Sequence, residues 1–316
     1  MRRLVLGLDT SNYTTSVAVT DADTGEILAD ERILLTVKQG EKGLRQSDAL
    51  FQHWQNLPDL LERVLPVYGK EICCIAVSEK PRPQEGSYMP VFTAGVHAAR
   101  ILAAQTGARL VLCSHQEGHI WAAAHGNGID PLSGGPLICA HLSGGTLELV
   151  LRETDGQSSV SYTICGGTKD ISYGQLLDRM GVDLGYPFPA GKSIDDLACR
   201  FAPEGQKNPF SRVFVQKTYL NLSGLETQLK SPKIGQMLSK EAAAYFAMER
   251  IAESFCRIAD AACEETGAAN ILVTGGVACS AFLRRYCKNK GYRFGDAHLC
   301  SDNAAGVSLL GGAACR

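Results

Sequence analysis

The sequence predicts an α/β protein built from two similar halves. Each half opens with three consecutive short strands that form a meander, and each then runs into alternating strands and helices. A chain of 316 residues exceeds the roughly 100–200 residues usual for one domain, so two lobes are expected. The repetition indicates an internal duplication of architecture, with the ligand site in the cleft between the halves.

The first half has the predicted element order βββαβαβ. Short apolar runs between turn residues predict the strands, and apolar residues at helical spacing predict the helices. The strands are expected at residues 4–8, 16–20, 27–35, 72–77 and 109–113, and the helices at 46–64 and 90–105. We place the end of the first lobe at residue 114.

The second half, residues 115–316, repeats the meander. Strands are expected at residues 137–142, 147–152, 160–165 and 270–274, and helices at 174–181, 193–200, 241–266, from Ala278 and from near Ser301. Residues 201–238 are rich in Pro, Lys, Gly and Ser and predict an irregular insertion. The last helix could pack back on the first lobe.

Composition excludes several classes of protein. The formal net charge of −2 gives no overall attraction for nucleic acid, so contact with RNA would require a local patch or a partner protein. The basic segment 284–293 is either such a patch or a solvated helix end. The 12 cysteines are scattered without a CxxC pair, which favours reduced thiols and a cytoplasmic location. No run approaches the ~18 apolar residues of a membrane span.

Two histidines stand four residues apart at a predicted helix start. Ser114 and Glu117 form the pattern of a capping box, and apolar residues follow. At this spacing His115 and His119 share one helix face and could bind one metal ion. The alternative is that both rings lie on a polar, solvated face.

Three turns could bind an anion. They lie at residues 9–16, 143–146 and 275–276, each follows a predicted strand, and each is rich in glycine or small hydroxyl residues. Such turns present backbone N–H groups and allow close approach of phosphate. A strand followed by glycine is usually only a turn, but equivalent positions in a duplicated fold favour binding.

This arrangement resembles the actin, sugar-kinase and heat-shock-chaperone ATPase superfamily, in which two ribonuclease-H-like lobes grip a nucleotide. More narrowly, it resembles the TsaD/YgjD family of tRNA threonylcarbamoyladenosine synthases, once classed as M22 glycopeptidases. The motifs that carry the resemblance span nearly the whole chain: His115-xxx-His119, Ser143-Gly144-Gly145, Asp170…Gly174…Asp178 with Pro189-Ala190-Gly191, Leu222-Ser223-Gly224-Leu225, Thr274-Gly275-Gly276-Val277 and Cys300-Ser301-Asp302-Asn303.

The resemblance implies a metal site and a nucleotide site. Its metal ligands would be His115, His119 and Asp302, a donor set that suits iron or zinc. The alternative role for Asp302 is that of a helix N-cap. The nucleotide, ATP or an acyl-adenylate, would be bound by residues of the turns and of the following helices: Thr10, Ser11, His141, Leu142, Ser143, Gly144, Gly145, Asp178, Gly191, Gly275, Gly276 and Ser280. Taken alone, Asp178 would be a solvated helix residue.

The activity implied is transfer of a threonylcarbamoyl group from an adenylate to N6 of a tRNA adenosine, with a TsaB-like paralogue as a possible heterodimer partner. The chain departs from the family pattern where the chemistry is expected. Tyr13 and Thr14 replace two acidic residues of the first turn, so no catalytic base can be assigned. Further departures are Thr146, Gln175, Ser280 and the segment 80–88.

Three functions therefore compete. The chain is a tRNA-modifying transferase, or an altered paralogue that binds nucleotide and metal as a scaffold or regulatory partner, or a metallopeptidase. The last is disfavoured because no Glu directly follows His115, as an HExxH motif requires, and Glu117 would point away from the ligand face.

Overall fold

The computed structural model describes residues 2–11, 13–38, 43–155, 160–232 and 237–316. They fall into two compact α/β units, Met1–Ile129 with His298–Arg316, and Asp130–Ala297. None of the helices within these described ranges is both long and apolar enough to span a membrane.

The first unit is built on one five-stranded sheet, counted over its described residues. Its strands are β1 Leu4–Asp9, β2 Thr14–Asp21, β3 Ile27–Leu34, β4 Ile72–Lys80 and β5 Arg109–Ser114, and its helices are α1 Gln46–Tyr68, α2 Phe92–Thr106, α3 His115–Ala124, α9 Ala297–Cys300 (whose first residue falls in the second unit) and α10 Ala305–Ala314. The sheet order is β3-β2-β1-β4-β5, with the first three strands antiparallel and β4 and β5 parallel to β1. The predicted meander and βα units are confirmed.

Strand β1 is buried on both faces, because helices cover both sides of the sheet. On one face Leu6 packs in the core that α1 supplies through Leu57 and Leu60. On the other, Val5 packs with Val307 of α10. A Cβ on Gly7 would lie 2.5 Å from the Ala304 carbonyl oxygen, so only glycine admits the last helix this close.

The second unit repeats this topology. Its strands are β6 Leu137–Leu142, β7 Leu147–Thr154, β8 Val160–Thr168, β9 Phe214–Gln216, β10 Tyr219–Asn221, β11 Asn270–Thr274 and β12 Arg293–Phe294, and its helices are α4 Tyr173–Asp183, α5 Gly191–Arg200, α6 Ser223–Leu229, α7 Lys240–Thr266 and α8 Ala281–Tyr286. Within the order β12-β11-β6-β7-β8-β10-β9, the segment β8-β7-β6-β11-β12 has the same strand directions as β3-β2-β1-β4-β5. The duplicated architecture is confirmed.

Three expectations about local structure were wrong. Segment 201–238 is not irregular throughout, because β9 and β10 pair and extend the sheet and α6 follows, although residues 233–236 lie outside the described part. The helix expected from Ala278 begins at Ala281, after a 3₁₀ turn at Gly276–Cys279, because Ser280, with ψ 121°, interrupts the helical backbone and caps the helix that follows. The last helix begins at Ala305 rather than near Ser301.

The expected lobe boundary after residue 114 differs from the unit boundary after Ile129 by the length of α3 and the residues that follow it. Helix α3 packs against α10, which itself lies against β1, β2 and β4. The last helix therefore belongs to the first unit, and α3 belongs with it.

Candidate functional site

Helix α3 begins where the sequence predicts. The Ser114 side chain accepts a hydrogen bond from the Glu117 backbone N–H at 3.2 Å, and Glu117 accepts from the Ser114 N–H at 2.8 Å. This capping box satisfies two of the N–H groups that a helix start leaves open. It fixes the first turn of α3, which carries His115, and the second, which carries His119.

The two imidazoles and the Asp302 carboxylate converge within the first unit. The Nε2 atoms of His115 and His119 are 3.0 Å apart, and they lie 3.6 Å and 3.4 Å from Asp302 Oδ1. Their possible ligand atoms all lie within 4.8 Å of one another. Helical spacing paired the two histidines and the family resemblance added Asp302, and the structure brings all three together.

A glycine contact between α3 and α10 makes this convergence possible. A Cβ on Gly306 would lie 1.9 Å from the Gly118 carbonyl oxygen, and a Cβ on Gly118 would lie 2.8 Å from Val307 Cγ2. Since neither residue has a side chain, the two helices approach to backbone contact. Gly118 directly precedes His119, and Gly306 lies four residues after Asp302, in the first turn of α10, so this contact brings the candidate ligand residues close together.

The structure disfavours the alternative roles of these residues. The side chains of His115 and His119 are 14% and 1% exposed, so they do not lie on a solvated helix face. Asp302 is not an N-cap, because the cap position of α10 is Ala304 and no side chain bonds there. Asn303 bonds to the start of the helix instead, because its Oδ1 accepts a hydrogen bond from the Gly306 N–H at 3.1 Å.

Asp9 is a further member of this cluster that the sequence analysis did not identify. Its carboxylate is fully buried, and Oδ1 lies 3.2 Å from His115 Nδ1. The Ser78 hydroxyl donates to the same oxygen, and the Ser11 hydroxyl donates to Oδ2 at 2.7 Å. The sequence offered one sign of this role. Asp9 ends strand β1, and the ends of parallel strands meet at one edge of a sheet, where a site is expected.

Electrostatics in the cluster favour a cation. Burial by itself lowers the pKa of His115, but Asp9 and Asp302 outweigh it and raise that pKa to about 10. Burial and the neighbouring His115 charge lower the pKa of His119. Burial would raise the pKa values of Asp9 and Asp302, but His115 and the Ser78 hydroxyl lower the pKa of Asp9, and both imidazoles lower that of Asp302. Two carboxylates thus face one imidazolium, which leaves an excess of negative charge.

The side chains of Thr10 and Ser11, in the turn after β1, are hydrogen-bonded within the protein. The Thr10 hydroxyl donates to the Val91 carbonyl at 3.0 Å and accepts from the Gly95 N–H at 3.2 Å. Tyr13 has a positive φ of 75°, which is rare for a residue other than glycine. Thr10 and Ser11, expected to bind nucleotide, therefore lie beside the histidine cluster with their hydroxyls bonded within the protein.

The Ser143–Gly145 turn of the second unit packs closely against neighbouring backbone on one side, and its two glycines face open space. The Ser172 hydroxyl donates to the Gly144 carbonyl at 2.8 Å, and a Cβ on Gly174 would lie 2.5 Å from Gly144 Cα. A Cβ on Gly275, which has φ 93°, would lie 2.3 Å from the Leu142 carbonyl oxygen. Conversely, added Cβ atoms on Gly144 and Gly145 would meet no described atom within 4 Å. The expected phosphate-binding residues His141, Leu142, Ser143, Gly144 and Gly145 thus sit beside Gly275 and the start of α4.

Two other residues expected to contact nucleotide, Asp178 and Ser280, are hydrogen-bonded to the starts of neighbouring helices. Asp178 Oδ1 accepts from the backbone N–H groups of Ala190 and Gly191 at 2.8 and 3.1 Å, so it caps α5 and is not a solvated helix residue. The Ser280 hydroxyl donates to Asp195 and accepts from the Leu283 N–H, so it caps α8. Nucleotide contacts by Asp178, Gly191, Gly276 and Ser280 stay predictions.

The basic segment 284–293 is partly structural. Arg284 donates to the carbonyls of Ala278 and Gly295, and Lys290 pairs with Asp260. These bonds favour the solvated helix end over an RNA-binding patch.

Comparison with known proteins places this geometry in context. A family model described as "TsaD: tRNA N6-adenosine threonylcarbamoyltransferase" matches residues 28–309. Among curated proteins, enzymes of that name from Neorickettsia sennetsu and Enterococcus faecalis are 27% and 29% identical, over 96% and 98% of this chain and 92% and 84% of their own lengths.

Solved structures show the same fold at low sequence identity. The component A of (R)-2-hydroxyglutaryl-CoA dehydratase from Acidaminococcus fermentans is 14% identical with a TM-score of 0.58, over 99% of this chain and 98% of its own. A ROK family glucokinase from Streptomyces griseus is 12% identical with a TM-score of 0.51, over 98% and 99%. HypF of T. kodakarensis is 13% identical with a TM-score of 0.59, over 98% of this chain and 47% of its own. These are actin-like ATPase and sugar-kinase folds, as expected for the two-lobed architecture.

Proposed function

Because the chain belongs to the TsaD family of tRNA N6-adenosine threonylcarbamoyltransferases, we propose that it is an enzyme that transfers a threonylcarbamoyl or related carbamoyl or acyl group to N6 of a tRNA adenosine. The observation that carries the proposal is the convergence of His115, His119 and Asp302 in a family member. A tRNA-modifying enzyme would act in the cytoplasm.

The three converging side chains suit one metal ion. Two imidazole nitrogens and one carboxylate oxygen form a donor set used by iron and zinc, and three protein ligands leave positions open for substrate. His115, His119 and Asp302 would hold the ion. When bound, the ion supplies Lewis-acid polarisation of an acyl or phosphate oxygen.

The residues of the second unit would hold the acyl-adenylate or ATP. The Ser143–Gly145 turn offers backbone N–H groups and open space above its glycines, which suits a phosphate. In the reaction, N6 of adenosine attacks the carbonyl carbon, the new C–N bond replaces the C–O bond to the nucleotide, and AMP leaves. One proton departs from N6, and no covalent intermediate with the protein is needed.

The proposal is tested by mass spectrometry of tRNA nucleosides. The chain is expressed in cells depleted of their own synthase, and threonylcarbamoyladenosine should reappear. His119→Ala should abolish the signal, whereas Asp21→Asn, a substitution at the far end of β2, should not. If the wild-type chain restores no modified nucleoside, it is not a threonylcarbamoyltransferase for those tRNAs.

One observation favours a second function, that of a nucleotide- and metal-binding scaffold. Asp9 is the single carboxylate among residues 9–16, and it is already bonded to Ser78, Ser11 and His115. The turn therefore lacks a carboxylate able to take the proton from N6. A scaffold would bind nucleotide and metal, restore no modified nucleoside and co-elute with a TsaB-like paralogue in size-exclusion chromatography.

A peptidase role has no support from the geometry. Glu117, the acid closest in sequence to the two histidines, is held in the capping box with Ser114. It is therefore not positioned as the general base that a metallopeptidase needs.

A further inference from the structure

We propose that Asp9 is a positioning residue that orients His115 and selects its Nε2 as the metal-binding atom. This inference rests on the proposed metal centre, because it concerns how one of the ligands is held. It assigns a role to a residue that the sequence analysis placed only at the start of the 9–16 turn.

Asp9 is itself held rigidly. It lies at the end of β1, a strand buried on both faces, and its side chain is fully buried. The hydroxyl of Ser78, at the equivalent end of the neighbouring parallel strand β4, fixes Oδ1, and the hydroxyl of Ser11 fixes Oδ2. A carboxylate bonded at one oxygen to β4 and at the other to the turn after β1 is held against rotation away from its third partner.

That third partner is the His115 ring. Asp9 Oδ1 lies 3.2 Å from His115 Nδ1, on the side of the ring remote from Asp302. An ionised carboxylate only accepts hydrogen bonds, so Nδ1 must carry the proton. Nε2 is then the nitrogen whose lone pair becomes available when an ion binds.

The opposite edge of the ring points at the other two ligands. Nε2 of His115 lies 3.0 Å from His119 Nε2 and 3.6 Å from Asp302 Oδ1. The bond to Asp9 therefore aims Nε2 at the point where the three ligand atoms meet. A ring free to rotate or to exchange tautomers would present a protonated nitrogen there for part of the time.

Partners of this kind have a measurable effect in metal sites. A carboxylate bonded to the far nitrogen of a ligating histidine fixes the ring and raises its basicity, and its loss typically lowers metal affinity about 10–100-fold. In Asp9→Asn the amide can instead donate to Nδ1, which would move the ring proton to Nε2 and block coordination.

The test measures zinc affinity by competition with a chromophoric chelator, in full-length protein. We expect Asp9→Asn to bind zinc about 10–100-fold more weakly than wild type. Ser78→Ala, which frees one side of Asp9 without touching a ligand, should show a smaller loss in the same direction. Asp21→Asn is the matched control, because that carboxylate accepts two backbone N–H bonds at the other end of β2 and should leave zinc affinity unchanged.

Nitrogen-15 spectra of the zinc-loaded protein, recorded on variants that circular dichroism shows to be folded, give a readout specific to the His115 ring. Wild type should show His115 coordinated through Nε2 with a slowly exchanging Nδ1–H, and Asp9→Asn should lose that protected proton. Wild-type affinity in Asp9→Asn, or coordination of His115 through Nδ1, would overturn the inference while leaving the metal centre intact. Failure of wild type to bind zinc would remove the metal centre, and this inference with it.

Discussion

Replacing Gly306 by alanine should weaken metal binding at the proposed site while leaving the protein folded. The added Cβ would lie 1.9 Å from the Gly118 carbonyl oxygen and 2.9 Å from Ala122 Cβ. A carbon and an oxygen in contact normally lie about 3.3 Å apart, so α3 and α10 must separate by about 1.4 Å. Overpacking of this kind costs about 1–3 kcal/mol, which a protein of this size can tolerate.

The same displacement is large for a metal centre. Ligand distances in metal sites stay within about 0.2 Å of their ideal values. Gly306 lies only four residues after Asp302, and Gly118 adjoins His119. We therefore expect Gly306→Ala to lose at least about tenfold in zinc affinity, by the chelator competition described above.

Gly69→Ala is the matched control. Its added Cβ would meet only Leu65 atoms, at 3.7 Å and beyond, so its zinc affinity should match wild type. Circular dichroism and urea denaturation of the metal-free proteins should show that Gly306→Ala is folded. If that variant binds zinc as tightly as wild type, the glycine contact does not set the ligand geometry.

Three further outcomes are expected. Gly144→Val should keep the wild-type melting temperature, because a Cβ at this position meets no described atom within 4 Å. It should lose adenine-nucleotide binding in calorimetry, and undiminished binding would show that this turn does not hold the nucleotide. Zinc at 100 times its Kd should add about 2.7 kcal/mol to the free energy of unfolding of wild type but not of Asp302→Ala, and a chelator should reverse the gain. Burial lowers the pKa of His53 to about 4, so the stability it confers is present above pH ~6.5 and is lost as the pH falls toward 4. Relative to His53→Gln, the free energy of unfolding of wild type, measured by urea denaturation, should fall by about 2 kcal/mol between pH 8 and pH 5. Parallel pH profiles of the two proteins would contradict this.

Much of the fold could be predicted because local patterns and tertiary packing agree. The bounds expected for β6 and β11 match the structure to the residue, and the Ser114–Glu117 box places the start of α3. The pairing of His115 with His119 followed from helical spacing alone. Asp302, nearly 200 residues away, could be added only through the family motif.

The two misplaced helix starts share one cause. Ser280 and Asn303 bond to backbone groups of their own segments and delay the helices that follow, and such bonds leave no periodic signal. Asp9 was missed for a related reason. A single acidic residue after a strand has no pattern, and its role depends on Ser78 and His115, which reach it only through the packing of the sheet.

The return of residues His298–Arg316 to the first unit affects synthesis of the chain. During translation, residues up to Ile129 leave the ribosome long before α10, with all of Asp130–Ala297 made in between. Until then β1 and α3 expose the surface that α10 will cover, including Gly7 and Gly118. The nascent first unit is thus open to chaperones and to non-native contacts, and Asp302 joins His115 and His119 only after all of Asp130–Ala297 has been made.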